Sequence, residues 1–428
     1  MRGGYCSVSR PPQSLIVRQA SLRKVPPVVA TDWGAAGVPW LGGLTLAIAA
    51  AAFLYWRVLR RADPIPLGTL CTVVAIALAA ASLAPVVFSS DVFAYAAYGE
   101  MARIGLNPYA LAPQISDELV RAAQRQWGSA FPICLYGPAF VAFARVVVGT
   151  LAPLGPAAPV EGFRIAACVG FLLCVPISSL AFAGDRAARL RAAATIGLNP
   201  AAIWCAAEGH NDVLALAVVL TGFALARGGR VGIGAAIVAL AATIKAPAAA
   251  AAVALATVES RARIGAIAGL ALAIGASLPL FAGVATQLAP HGTYAPQASL
   301  QAIFAPLGPA AALAIAAVTG TLLARRGIAI LQQERIEGWV WLALGAWVLI
   351  PNPYPWYGVW LVAVAALAPQ SRAGRVAIVM SLTAVLRYLP DAIATPAPPF
   401  AVLLGVLATL PLLALVGHRP AWYNERLT

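Results

Sequence analysis

The sequence predicts an all-α polytopic membrane protein, a bundle of about 11–13 transmembrane helices. Three observations predict it. Hydrophobic residues fill 61% of 428 positions, charged residues only 10%, and the mean hydropathy is +0.84. Apolar runs rich in Ala, Leu and Val recur at lengths near the roughly 20 residues that cross a bilayer as a helix. The runs are continuous, whereas a membrane barrel reads as short alternating segments, so helices are the solution that satisfies the backbone within lipid.

Residues 1–37 carry Arg2, Arg10, Arg18, Arg23 and Lys24 without an apolar core of signal-peptide length, and a disordered basic tail is expected there. A single transmembrane domain is expected over 38–417, followed by a short tail, 418–428. Its apolar runs fall near 38–56, 66–88, 136–155, 163–183, 190–206, 212–227, 231–257, 264–285, 300–324, 339–351, 354–368, 375–389 and 399–417. The run 231–257 is long, and Pro247 is its natural break. Between the runs, arginines cluster at Arg57/Arg60/Arg61, Arg186/Arg189/Arg191, Arg227/Arg230, Arg261/Arg263, Arg325/Arg326 and Arg372/Arg375, the pattern of cytoplasmic loops. The formal charge of +14 is therefore spread over short loops and a tail. It reads as topology signal and contact with membrane lipid, and no nucleic-acid partner is expected.

The one long hydrophilic loop, 89–135, is expected to face outward and to hold two helices lying at the surface. The first runs from Asp91 towards Arg103, with Asp91, Tyr95 and Tyr98 on one face, and Gly105 to Tyr109 stops it. The second opens at Ser116 and runs to about Trp127. Asp91 and the 208–212 loop share a face only if an even number of crossings separates them. Three runs lie between, so one of the three is expected to be short, re-entrant or split.

No GxxxxGK[ST], GxSxG, HExxH or D-x-D motif occurs, and the six cysteines have no metal-ligand spacing, so neither cofactor nor metal is expected. Five polar constellations stand out instead. Asp91, with Tyr95, Tyr98, Asn107 and Tyr109 following it, sits at the mouth of a span. A carboxylate beside an apolar wall has its charged form disfavoured, which suits a general base, and the tyrosines can stack on a ring or bond a hydroxyl. Capping of the first loop helix is the plainer role for Asp91. Tyr136-Gly137-Pro138 makes a sharp re-entry into the membrane, for structural reasons or functional ones.

Glu208, His210, Asn211 and Asp212 put four polar side chains within five residues at a membrane edge; a turn with a helix cap is the alternative. Lys245 lies inside an apolar stretch and needs either a route to the surface or an anionic partner. In Pro351 to Trp360, prolines interrupt regular helix while Trp356 and Tyr357 offer a stacking surface, as interfacial belt or as substrate groove. Arg387 is a candidate phosphate contact, and His291 reads as a surface histidine.

Asp91 to Tyr109, Tyr136-Gly137-Pro138, Gly209 to Asp212, Ile244-Lys245 and Pro355-Trp356-Tyr357 together resemble, in the same order, membrane glycosyltransferases of the GT-C superfamily, in particular bacterial polyprenyl-phosphomannose-dependent α-1,6-mannosyltransferases. Phe93 and Glu100 depart from the family, which commonly has a tyrosine and a basic residue there. The resemblance implies a GT-C-like bundle, a polyprenyl-phosphate sugar donor, a glycan or glycolipid acceptor, an extracytoplasmic active site in the plasma membrane, and a catalytic carboxylate at Asp91. Lys245 and Arg387 would then hold phosphate, while Glu208, His210 and Asp212 would bind sugar or acceptor. A secondary transporter or lipid flippase and a non-catalytic envelope scaffold are the competing readings; polar residues at span ends and the lack of repeat symmetry weigh against the first.

Overall fold

A computed structural model describes residues 33–416, leaving out 62, 85, 87–88, 90, 114–132, 282–295 and 389–397. The described residues fold entirely into helices and connecting turns, with no strand among them. In chain order the helices are α1 (Trp33–Leu59), α2 (Leu67–Ser82), α3 (Asp91–Arg103), α4 (Pro138–Leu151), α5 (Ala158–Ala181), α6 (Arg186–Gly197), α7 (Pro200–Ala207), α8 (Asn211–Arg227), α9 (Val231–Leu240), α10 (Ala248–Val258), α11 (Ala262–Phe281), α12 (Leu300–Phe304), α13 (Pro309–Leu331), α14 (Gly338–Trp347), α15 (Pro355–Ala365), α16 (Arg372–Thr383) and α17 (Pro398–Thr409). Every apolar run of the sequence holds at least one of them. The expected helix at 116–127, His291, the tail residues 1–32 and 418–428 lie outside the described residues. Helix α1 starts at Trp33, so the last five residues of the expected tail are helical.

This is an all-α membrane protein, and its outward faces say why. Large apolar side chains stand exposed along whole helices, among them Ile165, Val169 and Leu173 on α5, Ile264 and Ile267 on α11, and Leu313 and Leu322 on α13. Apolar surface on that scale is stable only against lipid. Among the described residues, α5 and α13 are each long and apolar enough to cross a bilayer alone, and α7 with α8 form a broken pair bent by 114°. Eight further apolar helical stretches of 10–17 residues accompany them among these residues, including Leu46–Leu59 within α1 and Ala262–Leu278 within α11.

Prolines and glycines set the breaks. Run 190–206 is the split one: Asn199 caps α7 through its side chain, which accepts from the Ala202 N–H, and Pro200 takes the first helical position. Run 231–257 breaks at Ile244 to Pro247, as Pro247 suggested. Run 300–324 is not one span, because Gly308 and Pro309 divide it into the short α12 and the long α13. Small residues let helices close on one another: a Cβ on Gly320 of α13 would meet the Gly345 carbonyl of α14 at 2.8 Å.

Helix α3 has the expected bounds, but it is not a surface helix. Asp91 to Gly99 and Met101 are all buried, packed chiefly against α4 and α5. A helix buried on all sides belongs to the packed core rather than lying as an amphipathic raft on lipid.

Candidate active site

The turn at 208–212 is built by backbone chemistry. Gly209 adopts φ +88°, and the N–H groups of Gly209 and His210 bond back to the carbonyls of Ala206 and Cys205, each at 3.0 Å, closing α7 in a Schellman motif. His210 then takes the position preceding α8, and its side chain makes no capping bond. His210 thus holds the N-cap position without a side-chain cap, while Asn211 and Asp212 lie inside the first turn of α8. A Cβ at Gly209 would stand 3.0 Å from Val92 Cγ2, so the turn presses directly on the start of α3.

On one side of this turn lies an ionic network. Lys245 Nζ, in the break between α9 and α10, is 3.0 Å from Asp212 Oδ2 and donates to Asn211 Oδ1 at 3.2 Å. The Tyr95 hydroxyl donates to the same Asn211 oxygen at 3.1 Å, and the Trp360 indole N–H donates to Asp212 Oδ1 at 2.7 Å. Lys245 also stands over the Tyr136 ring, 5.1 Å from its centroid. It does not snorkel: the side chain is 14% exposed and points into a fully buried carboxylate. What brings Tyr136 so close is Gly137, where an added Cβ would overlap the Thr243 carbonyl, and whose N–H bonds the Ile244 carbonyl at 3.4 Å.

On the other side lies Asp91, the first residue of α3, 3% exposed, its N–H donating to Ser89 Oγ at 3.2 Å. Its Oδ2 is 3.7 Å from His210 Nδ1, beyond hydrogen-bond distance. His210 lies in the break between α7 and α8, and burial, with the Lys245 cation adding to it, holds its pKa well below 6.5. The imidazole is thus neutral, and the approach to Asp91 is a polar contact rather than an ion pair. The imidazole stacks on Trp356, centroids 4.4 Å apart and planes at 23°, and Trp356 stacks on Tyr354 at 4.3 Å and 6°. Arg387 ends the stack, its guanidinium 4.5 Å above Tyr354 and donating to the Tyr354 hydroxyl at 2.8 Å and to Asn352 Oδ1 at 3.1 Å.

The structure thus gathers Asp91, Tyr95, Tyr136, His210, Asn211, Asp212, Lys245, Trp356 and Arg387 at one end of the bundle. Tyr98 joins through Tyr136, ring centroids 6.1 Å apart, and Tyr357 sits edge-on to Trp356 at 5.8 Å. Glu208 is buried at the end of α7. Tyr109 holds the loop in place, donating to the Tyr136 carbonyl at 2.7 Å. Asn107 does not reach the cluster: it is exposed, and its Oδ1 accepts from the Tyr109 N–H, forming a turn.

Three participants escaped the sequence reading. Trp360 and Tyr354 lie in the aromatic segment but were not separated from belt residues. Arg164, 6% exposed on α5, donates to the carbonyls of Ser82, Ala84 and Ala207, tying the end of α2 to the end of α7, and it pairs with Glu161 at 3.0 Å. Its signal was an arginine inside an apolar run, a placement that is costly without partners.

Compared with known families, residues 8–261 match the model of the N-terminal domain of alpha-(1->6)-mannopyranosyltransferases. That stretch contains every member of the ionic network except Trp360, together with Asp91 and His210. No curated protein and no solved structure matches the chain.

Proposed function

The chain belongs to the alpha-(1->6)-mannopyranosyltransferase family, and from that premise we propose a multi-pass membrane enzyme that moves mannose from a polyprenyl-phosphate donor to an extracytoplasmic glycan or glycolipid acceptor, with inversion and with Asp91 as general base. The observation that supports this best is that the 208–212 turn carries both a contact to the buried Asp91 carboxylate, through His210 at 3.7 Å, and the Asp212 anchor of the Lys245 ammonium at 3.0 Å, all within the matched region.

In the proposed step the acceptor hydroxyl oxygen attacks the anomeric carbon while Asp91 takes the hydroxyl proton. The bond from that carbon to the phosphate oxygen breaks, and its electron pair leaves with polyprenyl phosphate. Charge balances: one negative charge on the carboxylate and one on the phosphodiester become two on the released phosphate, beside a neutral acid. Lys245 offsets the charge that develops on the leaving group. Asp212 acts through Lys245, which it holds in place, rather than on sugar. Glu208 and neutral His210 bind sugar or acceptor, and the Tyr354–Trp356 stack gives a sugar ring or isoprenoid chain an apolar face. Arg387 is the second cation, at the far end of that stack.

Purified protein incubated with polyprenyl-phosphate mannose, glucose or arabinose and candidate acceptors should release polyprenyl phosphate with the mannose donor. Release with none of the three would overturn the reading.

A further inference from the structure

One oxygen in the site takes two donors from distant parts of the chain. Asn211 Oδ1 accepts from the Tyr95 hydroxyl at 3.1 Å and from Lys245 Nζ at 3.2 Å. That this atom is the oxygen follows from chemistry, since an ammonium donates and never accepts, so the amide cannot be turned the other way. The amide nitrogen is left on the other arm, and it has no acceptor among the described residues although Asn211 is fully buried. A buried N–H2 group without a partner costs stability, so what this side chain contributes is its doubly used oxygen.

Each donor is itself held. Tyr95 stands one turn after Asp91 on α3, so the two ride on one stretch of helical backbone. Its ring is set edge-on against Tyr136, Phe140 and Phe163, with centroids 4.8, 4.7 and 5.8 Å away, and the Asn211 N–H returns a bond to its hydroxyl at 3.5 Å. Helix α3 also lies tight on α4, where a Cβ on Gly99 would meet the Ala144 carbonyl at 2.7 Å. Lys245 is paired with Asp212 at 3.0 Å. The route from Asp91 to the cation therefore runs along one turn of α3 to Tyr95, then through Asn211 Oδ1 to Lys245. Tyr136 offers a second route, edge-on to Tyr95 and 5.1 Å from Lys245, but it passes through ring contacts alone. A neutral acceptor suits the junction, because a carboxylate there would set a second anion beside Asp212 and weaken the attraction for phosphate.

We propose, resting on the reading of Asp91 as base and Lys245 as counter-charge to the phosphate, that Asn211 is a positioning residue: by taking Tyr95 and Lys245 on one oxygen it fixes the separation between carboxylate and ammonium. In the transfer step the two act on opposite sides of one anomeric carbon, the carboxylate on the incoming hydroxyl and the ammonium on the departing phosphate. Their spacing therefore enters the barrier. Asn211 acts on that barrier through Tyr95 and Lys245.

The test is steady-state transfer by the purified full-length protein in detergent micelles, with polyprenyl-phosphate mannose as the varied donor, a competent acceptor, and kcat expressed per folded enzyme. Tyr95→Phe removes one hydroxyl and keeps the ring, so it breaks the route through Asn211 and spares the route through Tyr136. It should lower kcat about tenfold and leave the donor KM within about twofold of wild type. Asn211→Leu, which removes the shared oxygen, should lower kcat about 10- to 100-fold. Adding Tyr95→Phe to it should bring no further loss, because that hydroxyl acts only through the missing oxygen. A wild-type kcat in Tyr95→Phe, a donor KM that rises as its kcat falls, or a double variant whose loss is the product of the two single losses would overturn the positioning role. Where Asn211→Leu does not fold, the kcat and KM of Tyr95→Phe decide alone. Asp91→Asn separates this role from the reading it rests on. Loss of transfer there with a wild-type kcat in Tyr95→Phe overturns the positioning role and keeps the base, whereas wild-type transfer in Asp91→Asn removes both.

Discussion

Replacing Lys245 with Met removes an ammonium and keeps most of the apolar stem. The Asp212 carboxylate is then left fully buried, with the Trp360 indole at 2.7 Å as its remaining neutral donor. Breaking a buried pair in this way costs about 3–5 kcal/mol, and the surviving indole bond places the expected loss at about 3 kcal/mol. Asp212→Asn is milder, about 1.5–2 kcal/mol, because Lys245 keeps Asn211 Oδ1 at 3.2 Å and the Tyr136 ring at 5.1 Å. The double variant carries neither charge and should lose only about 1–2 kcal/mol, since a buried pair replaced by neutral groups is near break-even. The cycle therefore predicts a coupling of about 3 kcal/mol between the two positions. Reversible unfolding in mixed micelles, followed by tryptophan fluorescence, measures it. A coupling below about 0.5 kcal/mol would refute the claim that Asp212 anchors Lys245.

Gly137→Ala drives a methyl into the Thr243 backbone and should cost about 1–3 kcal/mol, read as a lowered unfolding midpoint; a midpoint equal to wild type would remove the close approach that seats Tyr136 beside Lys245. Arg164→Lys cannot reach the carbonyls of Ser82, Ala84 and Ala207 together, and a loss of about 2–3 kcal/mol is expected in the same assay, with recovery in no variant lacking the guanidinium. For His210 the folded-state pKa lies below 6.5, so the unfolded chain binds the extra proton and stability rises with pH. The contribution is complete above about 6.5 and is lost as pH falls below it. His210→Leu should flatten that part of the stability profile, and an unchanged profile would contradict the burial of a neutral imidazole.

The fold was legible wherever punctuation is local. Asp91 opening α3 and Gly105 to Tyr109 ending it are written in consecutive residues, as is the break before Pro247. The division of 300–324 was not read, although Gly308-Pro309 carried it, because overall hydropathy hides a short break inside an apolar run. Burial of α3 was missed because its small and aromatic residues suit a belt and a core equally well. In the site, charged residues in apolar surroundings announced themselves, and Asp91, His210, Asp212 and Lys245 did meet. Their partners did not announce themselves: Trp360 lies 148 residues from Asp212, and an indole that bonds a carboxylate reads the same as one that bonds a headgroup. The sequence places Asp212 among the sugar or acceptor contacts, and its bonds to Lys245 and Trp360 support the role proposed above, that of holding the cation.

The central claim is that Asp91 removes the acceptor proton. Asp91→Asn keeps the size of the side chain and its place at the start of α3, and it removes the basic oxygen. With purified enzyme, polyprenyl-phosphate mannose and a competent acceptor, initial rates of polyprenyl phosphate release should fall by about 10²–10⁴-fold. Donor binding and the unfolding midpoint should stay at wild-type values. Transfer at the wild-type rate in Asp91→Asn would contradict the account.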